Sequence, residues 1–400
     1  MIAAGWIFWL CVFMIGYVYA GYPLILAFLA RLRWSPEKYQ PVTPKVTLLI
    51  AAYNEEAVIA SKLENALGLE YPSDHLQILV AADGSDDQTP DIVRKFGDRG
   101  VELSYDPQRN GKMAAINRAM QFVRHEIVLF SDANNLYEAD TLRELVKPFS
   151  NPQVGAVSGK KYILDGNDAL SNTDGMYWRY ESAIKENETR LGSCTGVSGE
   201  ILAVRRALYQ PPPGNVINDD FFIGLNVMRQ GYRLVYAPKA RSVEQSSLTE
   251  KDEATRRIRI VAGRYQAMIK SGSLLPWNHP ILVWQIVSHK FMRPLVPLMM
   301  ILAIVANTVA LIWPAQSSSN TWLSLGKPYN WIFFALQILF YLLAWFGGHV
   351  HAKGLIGKIL YLPTFLLNSN ISAVVGLYSF LNGRQTSLWT RARRRDETAQ

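Results

Sequence analysis

Apolar positions in this chain form long unbroken runs near its two ends and short runs between them. From Trp6 to Ala30 no charge interrupts the sequence, and as a helix that run is long enough to cross a hydrocarbon core. It lacks a basic n-region and a small-residue cleavage site, so residues 1–33 are expected to be a retained anchor rather than a signal peptide. Arg31 and Arg33 follow directly and, by the positive-inside tendency, place the next segment on the cytoplasmic side. Pro294 to Trp313 and Trp331 to Phe346 read as two further spans. Ahead of them, in 276–293, His289, Lys290 and Arg293 interrupt an apolar stretch beside Trp284, the pattern of a helix lying in the interface. The C-terminal membrane region is taken as 294–381. Its last part, Ile359 to Leu381, contains Pro363 and Asn368-Ser369-Asn370 and is expected to be re-entrant or interfacial. A crossing there would put the basic tail at 382–400, with Arg391 to Arg395, outside rather than in the cytoplasm.

Between these runs, residues 41–275 change character. "KVTLLIAAY" is a short β-branched run that predicts a buried strand, and "NEEAVIASKLENALGL" has helical spacing with acids in its first turn. The alternation continues with "LQILVAADGS", "TPDIVRKFG", "VELSYD", "GKMAAINRAMQFV" and "EIVLFSDA". Strands alternating with helices predict an α/β domain with a mostly parallel sheet, and ligands in such domains bind at the carboxyl ends of the strands. After Pro152 the alternation is less regular: a strand at "QVGAVSGKKYIL", a helix around Gly175 to Arg190, a strand at "GEILAVRR", a helix from "NDDF", a strand "YRLVYAP" and a helix over Leu248 to Ile269.

Composition adds three constraints. Hydrophobic residues make up 49% of the chain and charged ones only 18%, as expected of a protein with membrane segments. The two cysteines, Cys11 and Cys194, suggest no disulfide framework. The net charge of +8 does not point to nucleic acid, because the basic residues gather at membrane boundaries and around Arg256 to Arg264; anionic lipid and a phosphorylated substrate suit that distribution.

Several polar residues stand where such a fold builds its site. Asp83 opens "DGSDDQT", where Gly84 permits a tight turn and Asp87 or Thr89 can cap the next helix; a plain capped turn accounts for this motif equally well. Asp132 ends a strand in Asp132-Ala133-Asn134. Residues two apart on an extended segment point the same way, so one carboxylate and one amide carbonyl offer hard oxygens to Mg2+ or Mn2+, though an Asx-turn is the simpler reading. Asp219 and Asp220 begin a helix, where they complement its dipole or place a general base in a cleft. Lys112, Arg256 and Arg259 could face a diphosphate, and Arg256, Arg259 and Gly263 share one helical face.

Together these motifs resemble the family 2 glycosyltransferases of the cellulose synthase-like superfamily. The resemblance runs from Val46 to about Ala267 and is carried by "AAYNEE", "DGSDDQT", "RNGKMAAIN", "SDANN", "VSGEILAVRR", "NDDF" and "RRIRIVAGRYQ". It implies a GT-A nucleotide-sugar-binding (Rossmann-like) domain flanked by transmembrane helices in a cytoplasmic or inner membrane. The donor would be held by Ala52, Tyr53, Asn54, Glu55, Asp83, Asp87, Lys112, Asp132 and Arg256, with Asp83 on the base. A divalent cation would sit on Asp132 and Asn134. Asp220 would be the catalytic base of an inverting displacement, Asp219 its neighbour, and Arg259 a stabiliser of the leaving diphosphate. The implied donor is a uridine diphosphate sugar and the acceptor a lipid-linked or other membrane-associated glycan, with membrane lipids and proteins of a polysaccharide pathway as further partners. Processive members carry Gln-X-X-Arg-Trp where this chain has Arg256, Arg259 and Ile260, so the acceptor-stacking tryptophan is absent. That favours transfer of one or a few sugars. A processive exopolysaccharide synthase and a non-catalytic nucleotide-sugar-binding scaffold, the latter suggested by Asn134, are the competing readings.

Overall fold

The computed structural model describes residues 2–33, 39–164, 169–245, 250–314, 322–347 and 354–383. The chain opens with helices α1 (Ile2–Gly16) and α2 (Tyr22–Leu32), joined by a π-turn. Then come β1 (Val46–Ala52), α3 (Ile59–Leu67), β2 (Leu76–Asp83), α4 (Thr89–Lys95), β3 (Val101–Asp106), α5 (Lys112–Ala119) and β4 (Ile127–Asp132). The second half holds β5 (Asn135–Tyr137), α6 (Thr141–Val146), β6 (Val154–Leu164), α7 (Ala169–Leu191), β7 (Leu202–Arg205), α8 (Asp219–Arg229), β8 (Arg233–Gln245) and α9 (Glu250–Ile269). A short α10 (Ser271–Leu274) leads to α11 (Pro280–Ile286), α12 (Met292–Ile312), α13 (Tyr329–Gly347) and α14 (Gly354–Leu381).

One eight-stranded sheet runs β3-β2-β1-β4-β7-β6-β8-β5. The first four strands are parallel, β7 is antiparallel to both neighbours, and β6 is parallel to β8. The order turns at β1, with β2 on one side and β4 on the other, and the carboxyl ends at such a turning point form a natural crevice. All of β1 is buried, and its residues alternate between two cores. Leu49 and Ala51 face one layer with α5 and α8; Val46, Leu48 and Ile50 face the other with α3 and α6. Leu282, Ile286 and Phe291 belong to the first of these cores, so the segment leading into the apolar helices is packed into the sheet domain itself.

Three expectations change. The helix after β1 starts at Ile59 rather than Asn54, because Asn54 adopts a left-handed backbone (φ 51°) and its neighbours bond sideways to 85–89. The expected interfacial helix over 276–293 is not separate from the span after it. Helix runs from Pro280 to Ile312 through a π-turn at Val287–Phe291, and His289 and Lys290 are buried against the sheet domain. Of the re-entrant or interfacial element expected over 359–381, the re-entrant form gives way to one unbroken helix that absorbs Pro363. Among the described residues, four helical segments are long and apolar enough to cross a membrane: Ala3–Leu32, Pro280–Ile312, Tyr329–Gly347 and Leu362–Leu381. Residues 384–400, with the basic tail, lie outside the described residues.

Gly84 closes β2 with φ +62°, and a Cβ there would stand 2.6–2.7 Å from Arg109 backbone and side-chain atoms. Gly84→Ala is therefore expected to lower the thermal midpoint of the detergent-solubilised protein by several degrees, through backbone strain on the order of 1–3 kcal/mol plus the clash.

Candidate active site

The site is assembled around Lys112. Asp83, at the end of β2, accepts backbone N–H bonds from Asn110 (3.1 Å) and Gly111 (2.6 Å), one on each carboxylate oxygen. These are the two residues before Lys112, so the Asp83 carboxylate sets where α5 begins. Lys112 Nζ then donates to Asp132 Oδ1 at 2.7 Å and lies 3.9 Å from Asp219 Oδ2. Burial works against the Lys112 ammonium, yet Asp132 and Asp219 hold its pKa above the ordinary range. Burial likewise pushes Asp132 up, but Lys112 first, with Lys161 and Arg259, brings its carboxyl below its usual value.

Asp220 behaves differently. Desolvation, and next the charge of Asp219, push its pKa up to about 6, against a bond to its carboxylate from the Phe221 N–H and the pull of Lys112. Its neighbour across the site is Gly199, where a Cβ would sit 3.0 Å from Asp220 Cβ. Asn218, just before the pair, donates to the Ile260 carbonyl at 2.9 Å and fills the space left by Gly263. This contact fixes α9, with Arg256 and Arg259, against the start of α8.

On the other side of β1 the loops at 54–56 and 85–89 clasp each other. Asn54 donates to Asp86 and accepts from its N–H, Thr89 accepts from Glu55 N–H, and Asp87 accepts from Glu56 N–H and Thr89 N–H. The Arg109 guanidinium lies 4.0 Å over the Tyr53 ring. Beyond Asp132, the Asn134 amide donates to Glu244 at 2.9 Å; Glu244 is ion-paired with Lys161, which also approaches Glu200 at 3.8 Å. The donation turns the Asn134 carbonyl oxygen away from Glu244.

The family described as "Glycosyltransferase like family 2" matches residues 44–263, which is the sheet domain and most of α9. The chain belongs to this family. Poly-beta-1,6-N-acetyl-D-glucosamine synthase of Staphylococcus aureus (strain COL) is 26% identical over 201 residues, 49% of this chain and 48% of that protein. A probable glycosyltransferase of Bacillus subtilis, YdaM, is 27% identical over 240 residues, 57% of each. The chain thus spans about half the length of the curated relatives it matches. Among solved structures, the mannosyltransferase PcManGT of Pyrobaculum calidifontis, in complex with GDP-Man and Mn2+, superposes with a TM-score of 0.70 over 95% of this chain and 100% of that one, at 23% identity. The fold of this family 2 protein is therefore GT-A-like from the sheet domain into the apolar helices.

Of the residues singled out in sequence, Lys112, Asp132, Asp219, Asp220 and Arg259 come together electrostatically, and Asn134 stands at their edge. Asp83 acts on this group through backbone, while Asn54, Glu55 and Asp87 bind mainly one another's loops. Sequence reading missed Lys161, Glu200 and Glu244. Lys161 lies in β6 and Glu244 in β8, both among other polar residues, and Glu200 lies in a short 3-10 turn before β7, so no local pattern set them apart. If Asp87 is a cap, Asp87→Ala speeds amide exchange at Glu56 and Thr89 and costs about 1 kcal/mol of stability; unchanged exchange at both would remove that role.

Proposed function

We propose that this chain is an inverting glycosyltransferase of the cytoplasmic membrane face, moving a sugar from a nucleotide-sugar donor, a uridine diphosphate sugar first among candidates, to a membrane-associated lipid or glycan acceptor. The observation that carries this is the Asp220 carboxylate. It is buried at the start of α8 beside the Lys112–Asp132 pair, in the crevice where the order of the parallel strands turns, and burial with the Asp219 charge pushes its pKa up to about 6. A base needs that range: deprotonated at neutral pH, yet basic enough to take a proton in the transition state.

Asp220 accepts the acceptor hydroxyl proton as that oxygen attacks the anomeric carbon. The bond from that carbon to the diphosphate oxygen breaks, and the leaving diphosphate carries the negative charge away. Lys112 and Arg259 receive that charge, so their cations act where it develops. Asp219 keeps Lys112 turned toward the cleft and, by its own charge, keeps Asp220 basic. The clasped loops around Tyr53, Asn54, Glu55, Asp83 and Asp87 form the wall for the nucleotide, with Arg256 one turn before Arg259 on the same helix face.

Asp132 and Asn134 fit a divalent cation in their chemistry, since an anionic carboxylate and an oriented amide carbonyl are hard oxygen ligands. Among the described residues no cluster of three or more His, Cys, Asp or Glu could hold the ion, so the donor diphosphate and water would supply the remaining ligands. Mg2+ or Mn2+ bound there would screen the diphosphate charge. The mannosyltransferase in complex with GDP-Man and Mn2+ supports a divalent cation for this fold. The polymer made by the Staphylococcus relative supports a role in polysaccharide synthesis, whereas Ile260, in place of a tryptophan, favours short transfers.

The base assignment predicts that kcat/KM falls about tenfold per pH unit below pH 6 and is level above it. Asp220→Asn should lose at least about a thousandfold in transfer if the base is essential. The same variant should melt at a higher temperature at pH 7.5. The folded pKa lies above the unfolded carboxylate value near 4, so wild-type stability falls as pH rises from about 4 to 6 and the cost is fully present above that. Normal turnover by Asp220→Asn would remove the assignment. In calorimetry, Mn2+ should bind weakly to nucleotide-free protein, more tightly with nucleoside diphosphate, and more tightly to nucleotide-free Lys112→Met than to nucleotide-free wild type. Tight binding to the empty wild type would contradict this account.

A further inference from the structure

Between the residues assigned to the diphosphate and the base stands one carboxylate that the transfer chemistry does not use, that of Glu200. Its place is fixed through backbone. The Glu200 carbonyl accepts from Asn135 Nδ2 at 3.1 Å and from the Tyr137 hydroxyl at 2.7 Å, which ties it to the turn that follows Asp132. The preceding residue, Gly199, is pressed against Asp220: a Cβ there would stand 3.0 Å from Asp220 Cβ and 3.3 Å from its Oδ2. Strand β7 pairs with β4 so that Leu202 is opposite Phe130, and the same register continued by two residues brings Glu200 level with Asp132. Glu200 thus stands beside both ends of the crevice. Its charge acts on Asp220 and, together with that of Asp132, on Tyr137.

None of these bonds uses the Glu200 side chain. That side chain is 14% exposed, and among the described residues its buried Oε1 accepts no hydrogen bond. Lys161 Nζ lies 3.8 Å from it, within ion-pair range but beyond hydrogen-bond reach, and is in closer contact with Glu244, which in turn holds the Asn134 amide. A buried carboxylate oxygen of this kind calls for a donor. In the transfer reaction proposed above, the anomeric carbon is bonded to the diphosphate and attacked by the oxygen that Asp220 deprotonates. The sugar ring then has to lie between Asp132 and Asp220, and Glu200 borders that space. An ionised carboxylate accepts and cannot donate, so the group it reads on the ring is a hydroxyl.

We propose that the Glu200 carboxylate, steadied by Lys161, accepts a hydrogen bond from a ring hydroxyl of the transferred sugar and so selects the donor. This rests on the donor reading above and adds the residue that discriminates between sugars. The test is calorimetry on full-length protein in nanodiscs with Mn2+. Its ligands are nucleoside diphosphate, a panel of UDP-glucose, UDP-galactose, UDP-N-acetylglucosamine and GDP-mannose, and deoxyfluoro analogues of the tightest donor, each with one hydroxyl replaced by a fluorine that cannot donate. Glu200→Ala should weaken the intact donor about 10- to 100-fold, the range of a hydrogen bond to a charged group, and leave nucleoside diphosphate within about twofold. Glu200→Gln, which keeps an acceptor oxygen, should recover part of the loss. One analogue should bind wild type weaker by a similar factor and lose nothing further in Glu200→Ala, because the same bond is removed from either side. Wild type indifferent to every fluorine exchange overturns the contact without any variant. Equal weakening of nucleoside diphosphate by Glu200→Ala also overturns it, since the carboxylate would then serve the cation or the fold. Failure of wild type to bind any intact nucleotide sugar overturns the donor reading and this inference with it. A coupled hydroxyl in binding, with no label passed to any lipid or glycan acceptor, would leave the Glu200 contact standing and remove the transfer reading.

Discussion

A single ammonium group organises the crevice of the candidate site. Lys112 is tied by its backbone position to Asp83, by a 2.7 Å bond to Asp132, and by charge to Asp219 and Asp220. Without it, three carboxylates would meet in a partly desolvated space and their repulsion would have to be relieved by protonation or by spreading the elements apart. With it, Asp132 stays anionic while Asp220, one residue further round the helix start, remains the acid most easily protonated. The difference comes from surroundings: Lys112 bonds Asp132 directly, whereas burial and the charge of Asp219 act on Asp220.

Much of this was legible before any coordinates. Each strand in the first half ends where its apolar run ends, so Asp83 and Asp132 fell at strand termini by periodicity alone. The part that was not legible depends on long-range pairing. Glu244 meets Asn134 across more than a hundred residues, and Lys161 reaches Glu244 only because β6 and β8 shift register after Gly159. No local pattern marks such a pair. The start of α3 was misplaced for a different reason: acids in a first turn favour a helix, but Asn54 and Glu55 find better partners in the neighbouring loop. Gly263 carried its meaning only once Asn218 was seen against it.

The membrane segments were legible in composition but not in shape. A histidine, a lysine and an arginine inside an apolar stretch suggest an element at the lipid surface, because charge is expensive in hydrocarbon. Here protein rather than water accepts them. Helix α7 provides carboxylates, those of Glu181 and Glu188, for His289 and Arg293, and the helix can therefore run on without a break into its span.

The same continuity changes what counts as a domain. Leu282, Ile286 and Phe291 complete the core that also contains Leu49, Val128 and Leu202. During synthesis the sheet strands leave the ribosome well before these residues do, and the core has a gap until the helix bearing them arrives. That helix is one of those long and apolar enough to cross a membrane. Its docking is thus a late step in the folding of the sheet domain, and a chain stalled before it would carry a formed sheet with an open apolar face.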